Sequence, residues 1–564
     1  MANVVLHGVG IGWGLPSSTG WDDDGVAPRD FLVGVVETYQ WGSHYTYPPL
    51  HLLMLTALTA PVWVTALIRA RGFGVADLIA EFTKIPYMTA FSVIARAVSV
   101  AMGVGIVYAI FRLVEEIWGR RAGICAALVV TTNVVLNYYS HTSNLDVPYL
   151  FWASLAIVEA VRVVTRAEPR RLRRFAWLAA FSICTKDQAY GLFVLSVPAI
   201  LIAWVATGRS ARGHLREVAR ESAIALLVAT MLVMVIDGAL FNPPGFRARL
   251  AFLTGTASQD HAVYPADVAG WAAIAKDTLS FFGRYYSWPV AALCVLGFGK
   301  SLCAPRSARF PVSRVASLAP MAVAVSFTLA FNMSARRTEH RFLLPQMLMF
   351  GVYAGVGVDW LVFRSDLQRF YRPAVAALLA WGMWRAAAVN KALLCDPRYD
   401  AEAWMQSNMR PGDRVETYGN DVYLPRFPLV TDVQRVGPES LSGRSSLPGV
   451  REVKAAYSDV EERRPRFVVL SQGWAWRYLA DTGSLLKVGT SLSPEQSARE
   501  RDSASQGYFR ALLEGRLHYR LVHMSAHRTS LFPVVDIHSS TNKTVWILER
   551  VDDSAPDVSR TTES

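Results

Sequence analysis

Three carboxylates in a row, Asp22, Asp23 and Asp24 of the segment WDDDGVAPRDF, are the first group in this chain whose types and spacing point to chemistry. Adjacent carboxylates cannot all ionise freely. Like charge and partial desolvation raise the apparent pKa of at least one, which suits a general base. A structural reading stands beside it, in which Asp22 or Asp24 caps a short helix beginning near Gly25. A second group is cationic: Arg336, Arg337, His340 and Arg341 crowd into ARRTEHRFLLPQ, and Lys186 lies in the polar break TKDQ between two short apolar runs. These cations ask for an anion; the structural alternatives are snorkelling of the arginines to head groups and an exposed Lys186–Asp187 pair. Asp146, in HTSNLDVP, reads either as a helix N-cap before Pro148 or as an acceptor or sugar contact, a role for which Tyr47 and His51 of TYPPLHLL are further candidates.

The elements that must position these groups are membrane helices. Of the 564 residues, 52% are hydrophobic and 18% charged, which excludes a disordered or fibrous chain. The net charge of +12 does not indicate nucleic acid, because the basic residues fall between apolar runs. Apolar runs near spanning length occur at 87–116, 122–139, 148–164, 174–185, 189–206, 221–239, 288–303, 315–332, 343–363 and 374–394. The apolar stretch from Ala2 to Leu15 is too short to span and lacks the features of a signal peptide, so it reads as a shortened first membrane helix.

Five short basic loops, Gly119 to Arg121, Arg166 to Arg174, Arg209 to Arg220, Arg306 to Arg314 and Arg364 to Arg372, fall on the cytoplasmic side if the run 49–68 lies flat as a juxtamembrane helix. The outer side then receives the first loop (16–86), Ser140 to Asp146, the break at Lys186, the loop 240–287, Asn332 to Arg341 and everything after about residue 395. All the chemical groups above thus share one membrane face. From Asp396 onward hydropathy falls and alternation takes over. DRVETYG, RFVVLS, YRLVHMSA and TVWILERV read as strands, and AEAWMQSNM, VREVKAAYSDVEERR and Glu495 to Leu517 as helices. The expected fold class is an α-helical polytopic membrane domain (1–394) followed by a small extracytoplasmic α/β domain (395–551) and a disordered tail (552–564).

A carboxylate facing cations specifies a reaction class. Hydrolysis of an ordinary glycosidic bond usually needs a second carboxylic acid to protonate a poor leaving group. Transfer from a sugar carried on a lipid phosphate does not, because phosphate leaves as a stable anion. It needs one base for the acceptor and cations where negative charge develops, and direct displacement inverts the anomeric centre. The five cysteines have no paired spacing, so neither a disulfide framework nor a zinc site is implied. Three adjacent carboxylates do offer oxygen ligands to a divalent metal ion.

The ordered set WDDDGVAPRDF, TYPPLHLL, RAVSV, HTSNLDVPYLFW, TKDQA and EHRFLLP resembles the GT-C superfamily of integral-membrane glycosyltransferases over roughly 16–365. The nearest likeness is to the bacterial lipid-phosphate-sugar transferases related to protein O-mannosyltransferases and aminoarabinose transferases. The resemblance implies a base in the first external loop, placing Asp23 on the family's catalytic Asp and Asp24 on its neighbouring Glu. It implies donor-phosphate contacts at Lys186 and Arg341, with His340 and Arg337 beside them, and no required metal or other cofactor. The implied partners are a polyprenyl-phosphate-linked sugar donor, an extracytoplasmic acceptor (glycan, lipid or protein) and membrane lipids, in the inner cell membrane. A transporter or lipid-carrier flippase is the rival class, expected to show repeated halves and charges near the midplane, and neither is evident. A non-catalytic cell-envelope assembly protein would use its membrane part as an anchor only, for which about ten spans are excessive.

Overall fold

Where the sequence carries uninterrupted apolar runs, the chain forms long helices, because a backbone in hydrocarbon must satisfy its own hydrogen bonds. The computed structural model describes residues 2–551 except 19, 23, 29, 71, 73, 208–210, 256–260, 304–313, 367, 442–446, 448, 480–502, 528–531, 534 and 536–540. Asp23, most of the basic loop Arg306 to Arg314, the tail 552–564 and residues 495–502 of the helix expected over Glu495 to Leu517 therefore lie outside the described residues, while Ser503–Leu513 of that helix is present. Two compact units emerge. The first comprises the described residues of Met1–Gly12, Asp24–Lys391 and Leu531–Ile537; the second comprises those of Trp13–Asp23, Ala392–Ser530 and His538–Ser564.

Among the described residues of the first unit, six helices are long and apolar enough to cross a membrane: Ile85–Trp118, Asp146–Arg166, Asp187–Ala206, Leu215–Ile236, Arg314–Ala335 and His340–Phe363. The chain is thus a multi-pass membrane protein. Two more apolar segments are bent pairs, Arg120–Thr131 with Val134–Ser140 at 70° and Leu50–Leu58 with Ala60–Arg69 at 58°. The second replaces the single flat helix expected over 49–68: the chain breaks at Thr59, whose hydroxyl bonds back to the Leu55 carbonyl, just before Pro61 removes a backbone donor. The runs at 174–185, 288–303 and 374–394 form Arg171–Ile183, Trp288–Cys303 and Gln368–Leu394, which are shorter or more charged than a simple span. The loop 240–287 contains helices at Pro243–Thr254 and Val268–Tyr285. Trp288–Cys303 packs on His340–Phe363 through Gly297 and Gly357, where an added Cβ would lie 1.9 Å and 2.2 Å from the facing carbonyl oxygens of Tyr353 and Leu293.

The second unit is an α/β domain around a six-stranded sheet, ordered β3-β2-β1-β4-β6-β5. Its strands are β1 (Arg414–Thr417), β2 (Asp432–Gly437), β3 (Val450–Lys454), β4 (Phe467–Ser471), β5 (Tyr519–Ser525) and β6 (Val545–Arg550). The first four run parallel, and β6 is antiparallel to both β4 and β5. The four strands expected from alternation are present. β3 corrects the first third of the helix expected over VREVKAAYSDVEERR, whose end is helical at Tyr457–Asp459 and Val460–Arg463: VREVK is a charged, half-exposed edge strand, a composition that blunts an edge but imitates a polar helix face. β2 went unread because two of its buried residues are the polar Gln434 and Arg435, the latter paired with Glu452 of β3. Helix Pro397–Asn408 starts at Asp396, whose carboxylate accepts the Arg398 amide and the Trp13 indole N–H at 3.0 Å each.

Candidate active site

The chain leaves the span Arg314–Ala335 through a π-helical turn, Thr328–Asn332, and Arg336 then takes a left-handed backbone conformation (φ 54°). Asn332 holds this exit in place. Its amide donates to the carbonyls of Arg337 (3.0 Å) and Phe342 (3.1 Å), and its side-chain oxygen accepts from Gln346 (2.6 Å). Fixing residues 337 and 342 in this way aims three cations at one ring. Arg337, Arg341 and Lys186 stand 4.7, 4.9 and 5.7 Å from the centroid of Phe342. Lys186 also lies 5.9 Å from the ring of Tyr149.

Three carboxylates balance the three cations. Asp24 forms an ion pair with Arg341, and Glu339 pairs with Arg337 and, at 3.1 Å, with Arg341. Asp146 accepts from Lys186 at 2.7 Å and from Gln188 at 3.2 Å through the same oxygen. The carboxylate carriers are themselves joined. Asn144 donates to the Asp24 carbonyl (3.1 Å) and accepts the Asp146 amide (2.7 Å), while Ser143 and Val26 exchange hydrogen bonds. Burial opposes the charge on Glu339, but the two flanking guanidiniums outweigh it and hold this carboxyl below its ordinary value. Burial likewise lowers the Lys186 ammonium pKa, with Asp146 pulling it back up. Among the described residues, three buried atoms here have no hydrogen-bond partner: Asp146 Oδ2, Arg341 Nε and Arg337 Nε.

The structure changes three structural alternatives read from the sequence. Asp24 caps no helix at Gly25: the first helix after the triplet begins at Asp30, and Asp24 sits in a turn against Arg341. Asp146 makes no capping bond, because its side chain turns to Lys186 and Gln188. Lys186 and Asp187 do not pair with each other; Asp187 binds Arg249. Tyr47 is half exposed and electrostatically coupled to Arg341, Asp24 and Asp146, and burial raises its phenol pKa while Arg341 opposes the rise. His340 packs its ring on Phe281 (4.9 Å) and Tyr285, whose hydroxyl donates to the His340 carbonyl. His51 is fully buried in Leu50–Leu58, its ring nitrogens without hydrogen bonds, and it takes part in none of the site's ion pairs. Sequence reasoning missed Glu339, Phe342, Asn144 and Gln188. For Glu339 the lone acid inside RRTEHR was an available signal.

A multi-pass membrane unit with a buried cluster of cations, carboxylates and aromatic rings defines the class as an integral membrane protein. Residues 70–237 match the family described as dolichyl-phosphate-mannose-protein mannosyltransferase, and the chain is similar to GT-C superfamily membrane glycosyltransferases. Its mostly helical body and small C-terminal sheet domain are similar to ArnT from Cupriavidus metallidurans bound to undecaprenyl phosphate, with 13% identity over 97% of this chain and 96% of that one (TM-score 0.46). Similar too are the Archaeoglobus fulgidus oligosaccharyltransferase AglB in complex with an inhibitory peptide and a dolichol-phosphate (13%, 93% and 79%, 0.41) and the mycobacterial arabinofuranosyltransferase AftD (13%, 94% and 42%, 0.34). Comparison with curated proteins gives no match.

Proposed function

We propose that this protein is an inverting, polyprenyl-phosphate-dependent glycosyltransferase of GT-C type that moves a sugar to an acceptor on the extracytoplasmic side of the cell membrane, where its α/β domain also lies. The observation that carries this reading is the convergence of Lys186, Arg337 and Arg341 on Phe342 with Asp24 in direct contact. The acceptor hydroxyl or amine attacks the anomeric carbon and gives its proton to Asp23 or Asp24. The bond from that carbon to the phosphate oxygen breaks, and the lipid phosphate leaves with the electron pair, its charge met by the three cations. Arg341 exchanges the Asp24 carboxylate for the donor phosphate, which frees Asp24 as the acceptor arrives. Asp146 and Tyr47 line the sugar or acceptor side, and His340 supports the phosphate side through its neighbours. The cations supply the positive charge, so the reaction as written needs no metal, and activity is expected to survive a chelator.

The test compares glycolipids and surface polysaccharides of cells with and without the protein for one missing sugar, then asks which variants restore it. Asp24→Asn and Asp23→Asn together are expected to leave the sugar missing while the protein accumulates in the membrane. Restoration by that double variant would sink the assignment of the base.

A further inference from the structure

Lys186 is the single extended residue (φ −154°, ψ 124°) between helix Arg171–Ile183 with its trailing turn and the 3-10 turn Asp187–Ala189, so the direction of its side chain depends on what holds the chain on either side. On one side the Cys184 carbonyl accepts the Leu50 amide at 2.9 Å. On the other, Asp187 binds Arg249, a guanidinium only 1% exposed. Arg249 also faces Asp237 at 3.8 Å and lies 5.1 Å from the centroid of the Tyr45 ring, and the Tyr45 hydroxyl donates to the Asp237 carbonyl. The helix bearing Arg249, Pro243–Thr254, is locked to the first external loop at its start. Asn242 accepts the Gly42 amide (2.8 Å) and donates to the Ser43 carbonyl (2.8 Å), and Gly245 approaches so closely that a Cβ would lie 2.1 Å from the Ser43 oxygen.

A buried arginine facing two carboxylates is expensive to desolvate and is rarely a net gain over apolar packing. Nothing in the reaction uses Arg249, yet it joins the polar break that carries Lys186 to the loop that carries Tyr47. We propose that Arg249 is a positioning residue: through Asp187 it fixes the break so that the Lys186 ammonium points at Phe342 and the donor phosphate. This rests on the reading of Lys186 given above. One end of the phosphate site would thus be set by a side chain from the loop 240–287, outside every segment that touches the phosphate.

The test is a double-mutant cycle on the purified full chain in detergent, read as binding of undecaprenyl phosphate. Arg249→Lys keeps the charge but loses the planar fork, and is expected to weaken binding about tenfold. In the Lys186→Met background the same change is expected to alter binding less than about twofold, because the residue it acts through is gone. A general loosening of the fold would instead weaken binding equally in both backgrounds, and that result overturns the inference. If Lys186→Met alone leaves binding unchanged, the phosphate assignment of Lys186 fails and the inference falls with it. Should Arg249→Lys not accumulate, Asp187→Asn cuts the same pair from its other end and is read in the same way.

Discussion

Two buried charge clusters in this protein, one in each unit, have opposite characters. In the α/β unit, Glu416 is only 1% exposed and is saturated: Arg463 donates to both its oxygens at 2.7 and 2.8 Å, and Tyr418 adds a third bond at 2.8 Å. Around Phe342 the cations and carboxylates also balance, but Asp146, Arg337 and Arg341 each keep a buried atom that no group among the described residues satisfies. A saturated cluster has nothing left to offer and acts on stability. An unsaturated one retains capacity for further bonds, as donors at the two arginine nitrogens and as an acceptor at the Asp146 oxygen. The two therefore differ in what their loss does, and this is where the account can be broken.

The largest expected effect is on turnover. Removing the acceptor's base by Asp24→Asn together with Asp23→Asn should slow transfer by about a hundredfold or more in a membrane assay, the range for a positioned general base. Next comes the control: Arg463→Met strands the buried Glu416 and should cost on the order of 3 kcal/mol, seen as a lower melting temperature of the full chain. Undecaprenyl phosphate binding below that melt should not change; if it did, the contrast between the clusters would be lost. Phe342→Leu keeps apolar bulk but removes the ring shared by three cations, and should weaken phosphate binding by about 1 kcal/mol, or fivefold.

The smallest effect is on pH dependence. Burial pushes the Asp237 carboxyl up to about 7, with Arg249 pulling it down and Asp187 pushing it up. A carboxyl whose pKa rises on folding favours the folded state when protonated, so its contribution is lost as pH climbs through about 7. Melting temperature in detergent should therefore be higher at acid pH than at alkaline pH, by a margin that shrinks in Asp237→Asn. An unchanged margin would remove Asp237 from the explanation.

Much of this was legible in the sequence. Hydropathy and basic loops grouped Asp24, Lys186 and the Arg336 to Arg341 cluster, and Asp24, Lys186, Arg337 and Arg341 do converge around Phe342. Alternation gave four of the six strands. Pairing was not legible. That Lys186 meets Asp146, forty residues earlier in the chain, and Asp187 meets Arg249 rather than its neighbour, depends on helix rotation set by packing. Phe342 looked like one more apolar residue at the entry to the span 343–363, since its position as a hub follows from the π-helical turn and the Asn332 bonds that aim it. β2 and β3 escaped because the ion pair between them made buried strand residues look like solvent-facing ones.

The most direct test of the central claim is to titrate undecaprenyl phosphate against the full chain and follow its 31P resonance in wild type, Lys186→Met and Arg463→Met. The account predicts a saturable shift in wild type and Arg463→Met, and in Lys186→Met one that is still saturable but at least about tenfold weaker. An equal shift and affinity in all three would contradict it.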